Sequence, residues 1–422
     1  MNAHVDLETL TLTQGQQDAY DDFCDFLLDP KKNVFVLEGY AGTGKTTLVR
    51  TLLSQLPNME RSVRLIDPTF PGWDVQLTAT TNKACEALSE LTGEPAATIH
   101  SFLGLRVNKD YKTGETNLTA RDWSDVKTNQ LIMIDEASYL DQPTLRLIFQ
   151  LTKNCKIVFI GDPAQLTNFK SKGAPVFQSE FPTARLTEVA RQAEGNPIIE
   201  LATAFRETVT TGEFFSFTPD GTSIQYMDRN QFAEAVKQEF TRPDWEHNDS
   251  KVLAWTNRAV IQYNHAIRDM AQGDPQFQAG DYAVLNSYLK STGKYPLKTD
   301  ELVQVTDKSE LSEDKGTPGW WVQLNNVHNV FFPQSLDHRK DRIRRAKATN
   351  DLVTLRHIDQ FWADLRSAYS CTINKSQGST YDTVFIDLDD IKACNSPNQI
   401  ARMLYVAVSR ARQRVVFVGD LI

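Results

Sequence analysis

The sequence of 422 residues lacks any long apolar run. A helix that spans a bilayer needs about 20 consecutive apolar residues, and no segment of the chain approaches that length. The N-terminal segment MNAHVDLETL also lacks the basic and apolar blocks of a signal peptide. These absences predict a cytoplasmic protein with no membrane partner.

Cysteine is sparse, and basic charge is not in excess. The five cysteines lie far apart with no C-x-x-C pair, which argues against a zinc site or a disulfide framework. The net charge is −9, whereas proteins that coat nucleic acid with their whole surface are rich in clustered Lys and Arg. A local groove, in which hydroxyl, amide and backbone groups share the contacts, remains compatible with this composition.

The sequence does contain an alternation of β-branched runs and amphipathic segments, typical of parallel sheets covered by helices. The chain length suits two or more domains. Strand-like runs occupy 33–38, 75–80, 130–135 and 156–161, and a second set occupies 251–256, 383–387 and 414–419. Short strands between about 283 and 335 predict a small β-barrel. The charged segment 338–351 predicts a helix, either a solvated face or a nucleic-acid contact.

A phosphate-binding loop is predicted at GYAGTGKT, residues 39–46, between a strand and the helical run LVRTLLSQL. Its glycines let backbone N–H groups surround a phosphate, Lys45 reaches the β- and γ-phosphates, and the Thr46 hydroxyl binds magnesium. The alternative, a glycine-rich turn that precedes a helix, is disfavoured by these flanks. The predicted nucleotide-binding residues here are Gly39, Gly42, Thr43, Gly44, Lys45, Thr46 and Thr47.

Two further segments predict ATP hydrolysis. The apolar run 131–134 ends in Asp135 and Glu136, of which Asp135 is expected to hold magnesium and Glu136 to polarise the attacking water. An isolated acidic pair in a loop is the alternative, which the upstream phosphate loop disfavours. In GDPAQL, residues 161–166, Gln165 is predicted to contact the γ-phosphate or the lytic water.

Arg191 in LTEVARQ and Arg410 in LYVAVSRAR are candidates for arginine fingers. A lone arginine is usually a surface residue. Two arginines delivered from a second domain would neutralise transition-state charge only when the domains close on ATP, as a motor cycle requires.

Together these motifs resemble the superfamily 1B DNA helicases, most closely the Dda helicases of T-even-type phages and more distantly RecD. The resemblance extends from LTQGQQDAY to LYVAVSRAR, nearly the full length. It implies ATP and Mg²⁺ as cofactors, 5′ to 3′ movement and a monomer sufficient for activity. The family glutamine that reads the adenine edge matches Gln16. The residues that carry over with the roles given above are Lys45, Thr46, Asp135, Glu136, Gln165, Arg191 and Arg410.

The predicted fold class is α/β, with two RecA-like P-loop domains. A small β-hairpin insertion is expected in the first domain and an SH3-like β-barrel insertion in the second. The predicted boundaries are 1–98 and 127–188 for the first motor domain, 99–126 for the hairpin, 189–275 and 365–422 for the second motor domain, and 276–364 for the barrel.

DNA contacts are predicted at strand ends of both domains. In the first domain they are Thr80, Asn82, His100 and Ser101, whose hydroxyl, amide and imidazole groups suit phosphate and sugar. The alternative, that the segment 80–82 caps the following helix, is compatible with DNA binding.

In the second domain, YSCTINKSQGS at 369–379 resembles the motif that links DNA to the ATP cleft. Lys375 and Ser376 are expected to contact phosphates, and Gln377 and Gly378 to face the nucleotide. Relatives more often have His at the position of Asn374. After the strand 251–256, Asn257 is a predicted DNA contact, whereas Trp255 either stacks a base or packs within its strand.

The segment 103–118 alternates in character and turns at 112–115, which predicts a hairpin. It lies where Dda-like helicases carry their strand-separating pin, and Tyr111 would offer a flat face to the first base pair. An ordinary exposed hairpin is the alternative.

The sequence therefore predicts an ATP-dependent DNA helicase that moves 5′ to 3′ and unwinds duplex in phage replication or recombination, in the host cytoplasm. Its expected partners are single-stranded DNA, forked duplex and, as a candidate, a single-stranded-DNA-binding protein. One alternative is an ATP-driven translocase that displaces bound proteins without unwinding. Another, an AAA-type switch or small-molecule kinase, is disfavoured because both arginines belong to a chain with two α/β units.

Overall fold

The computed structural model describes residues 12–109, 116–120, 122–123, 125–167, 173–188, 195–273, 276–290, 293 and 295–421. The chain forms two compact units, Met1–Phe215 and Ser216–Ile422, so residues 195–215, predicted to belong to the second motor domain, lie in the first unit. Arg191 and Tyr111 lie outside the described residues. None of the described helices has the length and apolar character needed to cross a membrane.

The first unit is built on a parallel sheet with helices on its faces. In chain order its elements are α1 (Gln14–Leu28), β1 (Val34–Gly39), α2 (Lys45–Ile66), β2 (Asp74–Ala79), α3 (Asn82–Thr92), β3 (Ala96–Thr98), α4 (Ile99–Phe102), β4 (Leu105–Lys109), β5 (Thr116–Ala120), β6 (Lys127–Thr128), β7 (Gln130–Asp135), α5 (Gln142–Gln150), β8 (Thr152–Lys153), β9 (Lys156–Gly161), β10 (Thr183–Leu186) and α6 (Pro197–Thr211). The strand order is β10-β1-β9-β7-β2-β3, and every neighbouring pair is parallel.

Successive side chains of a strand point to opposite faces of the sheet. Because the strands carry consecutive apolar residues, both faces of this sheet are apolar and both are covered. Phe35 and Leu37 of β1 belong to one buried cluster, together with residues of α1 and α2. Val36 belongs to a second cluster, together with residues of α5. The four strands predicted in the first half are confirmed, each within one residue.

A separate two-stranded hairpin interrupts the first unit. Strands β4 and β5 are antiparallel, with pairs from Leu105 and Ala120 to Lys109 and Thr116. The two strands of the predicted hairpin are therefore present. Its turn, residues 110–115, lies outside the described residues.

The second unit contains another parallel sheet. Its elements are β11 (Ile224–Met227), α7 (Arg229–Phe240), β12 (Ser250–Ala254), α8 (Asn257–Gln272), β13 (Tyr282–Leu285), β14 (Leu302–Lys308), β15 (Ser312–Asp314), β16 (Thr317–Leu324), β17 (His328–Pro333), α9 (Leu336–Ala348), α10 (Leu352–Phe361), β18 (Leu365–Ser367), β19 (Ser370–Thr372), α11 (Ile373–Ser376), β20 (Tyr381–Asp387), α12 (Leu388–Lys392), α13 (Pro397–Val408) and β21 (Ala411–Val418). The parallel strands have the order β11-β21-β20-β12-β19.

Strands β13 to β18 form an antiparallel sheet with its own apolar core. The order is β15-β16-β14-β13-β18, and β17 pairs with β16. Alternating residues such as Val303, Val305 and Val322 are buried on one face. The sheet includes β18, which lies just beyond the predicted range 276–364. The predicted helix over 338–351 is confirmed as α9.

Candidate functional site

The predicted catalytic segments of the first unit follow the carboxyl ends of neighbouring strands. The phosphate loop follows β1, the acidic pair ends β7, and the segment of Gln165 follows β9, which lies between them. In open parallel sheets, ligands bind at this edge. The fold therefore brings residues far apart in sequence to one edge of the sheet.

The phosphate loop is a tight turn that leads into α2. Gly42 and Gly44 have φ of 79° and 77°, a left-handed conformation that favours glycine. The Lys45 ammonium donates to Gly39 O at 2.5 Å and to Tyr40 O at 3.0 Å, which spans the loop. The start of α2 directs unpaired N–H groups towards this turn, an arrangement suited to phosphate.

Gln16 braces the loop from α1. Its Nε2 donates to Thr43 O at 3.1 Å, and its Oε1 accepts from Thr13 N at 3.0 Å. Gln16 is buried, and a Cβ on Gly44 would lie 2.4 Å from its Nε2. Gly44 is therefore favoured by its backbone conformation, and a side chain there would displace the Gln16 amide from the loop. The predicted contact of Gln16 with adenine stays a prediction.

The acidic pair joins the nucleotide edge to a predicted DNA contact. Glu136 has a φ of 53°, a left-handed conformation uncommon for non-glycine residues and frequent at functional sites. Its N–H donates to Asp135 Oδ1 at 2.8 Å. The Thr80 hydroxyl donates to Glu136 O at 3.0 Å, and Thr80 N to Asp135 O at 3.3 Å.

The electrostatics of Asp135 reflect its environment. Burial raises the pKa of its carboxyl, whereas the hydrogen bond from the Glu136 amide and the positive charge of Lys45 oppose this rise. The charge of Lys45 therefore favours the ionised form of Asp135, which is the form that can bind magnesium.

Gln165 is buried in a turn after β9. Its N–H donates to Asp162 O at 3.2 Å, and Asp162 Oδ1 accepts from Ala164 N at 2.9 Å. Gly161 precedes this turn, and a Cβ there would lie 2.9 Å from Phe177 Cζ and 3.2 Å from Ala137 N. The absence of a side chain at Gly161 lets the turn approach the segment that follows Glu136.

The residues at this edge fit a magnesium–nucleotide complex. Thr46 is exposed at the start of α2, and Asp135 ends β7. Across the described ranges, no group of three or more His, Cys, Asp or Glu side chains is placed to hold a metal ion. Magnesium needs no such cage beside a nucleotide, because phosphates and waters supply most of its ligands.

The first-unit DNA candidates lie at the starts of two helices. Thr81 caps α3 and accepts from Ala84 N at 3.2 Å, so the helix-cap interpretation holds for that residue. Asn82 is the first residue of α3. In α4, Ser101 is exposed and His100 is half-buried. Burial lowers the pKa of His100, and the negative charge of Asp141 partly opposes this.

In the second unit, the predicted DNA–nucleotide motif surrounds α11. Lys375 is partly exposed, but Ser376 is fully buried, and its Oγ donates to Ile373 O at 2.7 Å. This burial argues against the predicted phosphate contact of Ser376, because its hydroxyl already satisfies the helix end. Gln377 is also buried, and Gly378 has a φ of 74°.

Arg410 lies beside the same motif. Its Nη1 donates to Ser379 O at 3.4 Å, Nη2 to Ser409 Oγ at 3.1 Å and Nε to Val406 O at 3.3 Å. The guanidinium is buried. The second unit therefore brings Arg410 next to the segment of Gln377 and Gly378.

Sequence reasoning missed Asp390, which fixes the turn before α8. Its Oδ2 accepts from Trp255 N at 2.6 Å and Thr256 N at 2.9 Å, and its Oδ1 accepts from Thr256 Oγ1 at 2.6 Å. Because β12 ends at Ala254, Trp255 lies after the strand and not within it. Asn257 is exposed at the first position of α8. Asp390 lies in the segment LDD, far in sequence from the turn that it contacts, and its neighbours in the sequence do not indicate this role.

Comparisons with known proteins agree with these features. A family model described as an AAA domain matches residues 11–228, and one described as a UvrD-like helicase C-terminal domain matches residues 367–418. The ATP-dependent DNA helicase dda of Enterobacteria phage T4 is 24% identical over 96% of this chain and 99% of its own length. The ATP-dependent RecD2 DNA helicase of Deinococcus radiodurans is 30% identical over 91% of this chain but 47% of its own length.

One similar solved structure is that of Pif1 helicases, reported as the structural basis for DNA unwinding at forked double-stranded DNA by two coordinating Pif1 helicases. Its TM-score is 0.54. It is 18% identical and covers 98% of this chain and 93% of its own. That likeness concerns the fold. With the phosphate loop, the acidic pair and the matched families, ATP and Mg²⁺ are the cofactors. The chain belongs to the AAA domain family and is an ATP-dependent DNA helicase of superfamily 1B.

Proposed function

We propose that the protein moves 5′ to 3′ along single-stranded DNA and unwinds the duplex at a fork. The direction and the unwinding follow from the resemblance to the superfamily 1B helicases, and the observation that carries DNA-coupled hydrolysis is the hydrogen bond from Thr80 Oγ1 to Glu136 O at 3.0 Å. Thr80 is a candidate DNA contact and Glu136 the candidate general base, so a shift of the DNA backbone at Thr80 would reach the main chain of the catalytic residue through one hydrogen bond. Such a link suits an ATPase that is stimulated by DNA.

The hydrolytic roles follow the chemistry of each group. Lys45 binds the β- and γ-phosphates, and Thr46 and Asp135 hold magnesium, which neutralises phosphate charge when bound. Glu136 accepts the proton of the attacking water, and Gln165 orients that water. Arg191 and Arg410 stabilise the charge that develops on the transferred phosphoryl group.

Nucleotide and DNA contacts complete the proposal. The nucleotide is held by the phosphate loop, by Gln16 at the adenine, and by Gln377 and Gly378. DNA phosphates and sugars are bound by Thr80, Asn82, His100, Ser101, Asn257 and Lys375. These contacts are mostly neutral, in keeping with the net charge of −9, so we expect a moderate salt dependence of DNA affinity.

Strand separation is assigned to the hairpin of β4 and β5. Tyr111 would act as its wedge, and melting one base pair costs about 1.4 kcal/mol. The antiparallel sheet of β13 to β18 would act as an SH3-like barrel that supports the DNA path. By likeness to the phage T4 helicase, the protein would serve phage replication or recombination in the host cytoplasm, as a monomer, with a single-stranded-DNA-binding protein as a candidate partner.

A strand-displacement assay tests direction and unwinding together. Duplexes that carry a single-stranded 5′ arm or a single-stranded 3′ arm at the fork end are compared under single-turnover conditions with ATP and Mg²⁺. We expect product only from the 5′-tailed fork. Product from the 3′-tailed substrate alone would show that the protein moves from 3′ to 5′.

The second candidate function, a translocase that displaces proteins without unwinding, retains every ATPase motif. Streptavidin displaced from a biotinylated 3′ end, with both forked duplexes left intact, would favour it.

A further inference from the structure

A small cavity in the second unit joins two candidate DNA contacts. Asn257 of α8 and Lys375 of α11 line a cavity of about 40 Å³ together with Asn286 and Arg366. Asn286 follows β13 and Arg366 lies on β18, so the antiparallel sheet contributes to the polar lining. A space of this size suits a water or a phosphate oxygen rather than a base.

The Lys375 ammonium is held by two groups from that sheet. Asn286 Oδ1 accepts from Lys375 Nζ at 3.0 Å, and Asp300 Oδ1 lies 2.7 Å from the same Nζ. The Asn286 amide is oriented by Asp364, whose Oδ2 accepts from Asn286 Nδ2 at 3.0 Å. An ammonium has three N–H donors; one is donated to Asn286, and the charge of the ammonium is paired with Asp300.

Asp300 is fixed by its turn. It has a φ of 65°, and its N–H donates to Leu285 O at 2.7 Å. In the same turn, Lys298 N donates to Glu301 Oε2 at 2.7 Å. The carboxylate is therefore presented to Lys375 by a hydrogen-bonded turn at the end of the antiparallel sheet.

The geometry points to Asp300 as an internal competitor of the DNA phosphate at Lys375. This inference rests on the proposed function, because it requires Lys375 to bind DNA. A carboxylate and a phosphodiester both accept charge-assisted hydrogen bonds from an ammonium. DNA must displace the Asp300 carboxylate or share the ammonium with it. Asp300 thereby weakens the grip on DNA and links DNA binding to the antiparallel sheet.

The test replaces Asp300 by asparagine, which keeps the shape, removes the charge and tolerates the left-handed backbone. Binding of a fluorescein-labelled oligothymidine is measured by anisotropy on the full chain. Partly exposed ion pairs contribute about 0.2–1 kcal/mol, so we expect Asp300→Asn to lower the Kd by a factor between about 1.4 and 5. Raised salt should reduce this difference.

Two controls separate competition at Lys375 from a general charge effect. Asp382 pairs with Arg412 at 3.2 Å, and its side chain is 38% exposed against 37% for Asp300, so Asp382→Asn makes the same charge change at a similar ion pair. It should leave the Kd nearly unchanged. In a Lys375→Ala background, Asp300→Asn should no longer tighten binding, because the residue for which it competes is gone.

Equal tightening by Asp382→Asn, or tightening that persists without Lys375, would overturn the inference. So would an unchanged or higher Kd for Asp300→Asn with an unaltered thermal transition. The ATPase activity of the wild-type chain distinguishes failure of this inference from failure of the proposed function. If single-stranded DNA stimulates it while Asp300→Asn binds no more tightly, only this inference fails. If DNA neither binds nor stimulates, the proposed function fails and this inference with it.

Discussion

Replacing Gln16 by alanine perturbs a buried amide that braces the phosphate loop. Its two hydrogen bonds, to Thr43 O and from Thr13 N, measure 3.1 and 3.0 Å. A neutral hydrogen bond contributes about 1 kcal/mol net, so Gln16→Ala should lower the free energy of unfolding of the first unit by about 2 kcal/mol. For a unit of this size, we expect the Tm to fall by roughly 4–8 °C in calorimetry.

The same substitution should also weaken the binding of ATP more than the binding of GTP. The Gln16 amide retains one N–H and one lone pair, a set that matches the N7 and N6 groups of adenine. Loss of two such contacts, about 2 kcal/mol in all, corresponds to a roughly thirtyfold higher Kd. Guanine presents an acceptor where adenine has an amine, so the Kd of a non-hydrolysable GTP analogue should change much less than that of the ATP analogue.

Gln17 supplies the matched control. It lies on the same helix, but its amide bonds only to exposed Asp21, at 3.0 Å. Gln17→Ala should change stability by no more than about 0.5 kcal/mol and leave both nucleotide Kd values unaltered. If Gln16→Ala raised the Kd of the ATP analogue and the Kd of the GTP analogue equally, the adenine contact would be refuted. A Tm indistinguishable from that of Gln17→Ala would refute the brace.

The remaining predictions concern the catalytic groups and the hairpin. Glu136→Gln should bind ATP with nearly wild-type affinity but hydrolyse it slowly, because the base is lost; near-normal turnover in a steady-state ATPase assay would reassign that role. Arg410→Ala should depress turnover roughly a thousandfold with small changes in ATP and DNA Kd, and turnover within a few-fold of wild type would remove it from the mechanism. Replacing residues 107–116 by a short Gly-Ser turn should abolish strand separation in the fork assay and preserve ATPase stimulated by single-stranded DNA; loss of both activities would make the hairpin structural.

Contiguous features of the fold were accessible to sequence reasoning. The phosphate loop needs glycine, lysine and threonine at fixed spacing between a strand and a helix, so Gly44 and Lys45 could be placed without coordinates. The buried strands carry continuous apolar runs because both faces of a parallel sheet are covered. The helix predicted over 338–351 and found at Leu336–Ala348 followed from its charged, uninterrupted pattern.

Contacts between distant segments were not accessible. The bonds of Asp390 to the turn before α8, and of Asp300 to Lys375, join residues whose local sequence gives no sign of the partner. The burial of Ser376 depends on how α11 packs within its unit. Periodicity reports which face of an element is apolar, whereas these contacts depend on the register and packing of elements far apart in the chain.

The position of β1 between two strands that come much later in the chain has a consequence for synthesis of the chain. Its neighbours in the sheet are β9 and β10, which end at Gly161 and Leu186. At about 5–20 residues per second, the ribosome needs on the order of ten seconds after completing β1 to supply both of them. During that interval the apolar strand before the phosphate loop has neither of its sheet partners, and the nascent chain is exposed to aggregation. A chain arrested before β9 should therefore depend on a holding chaperone to remain competent to fold.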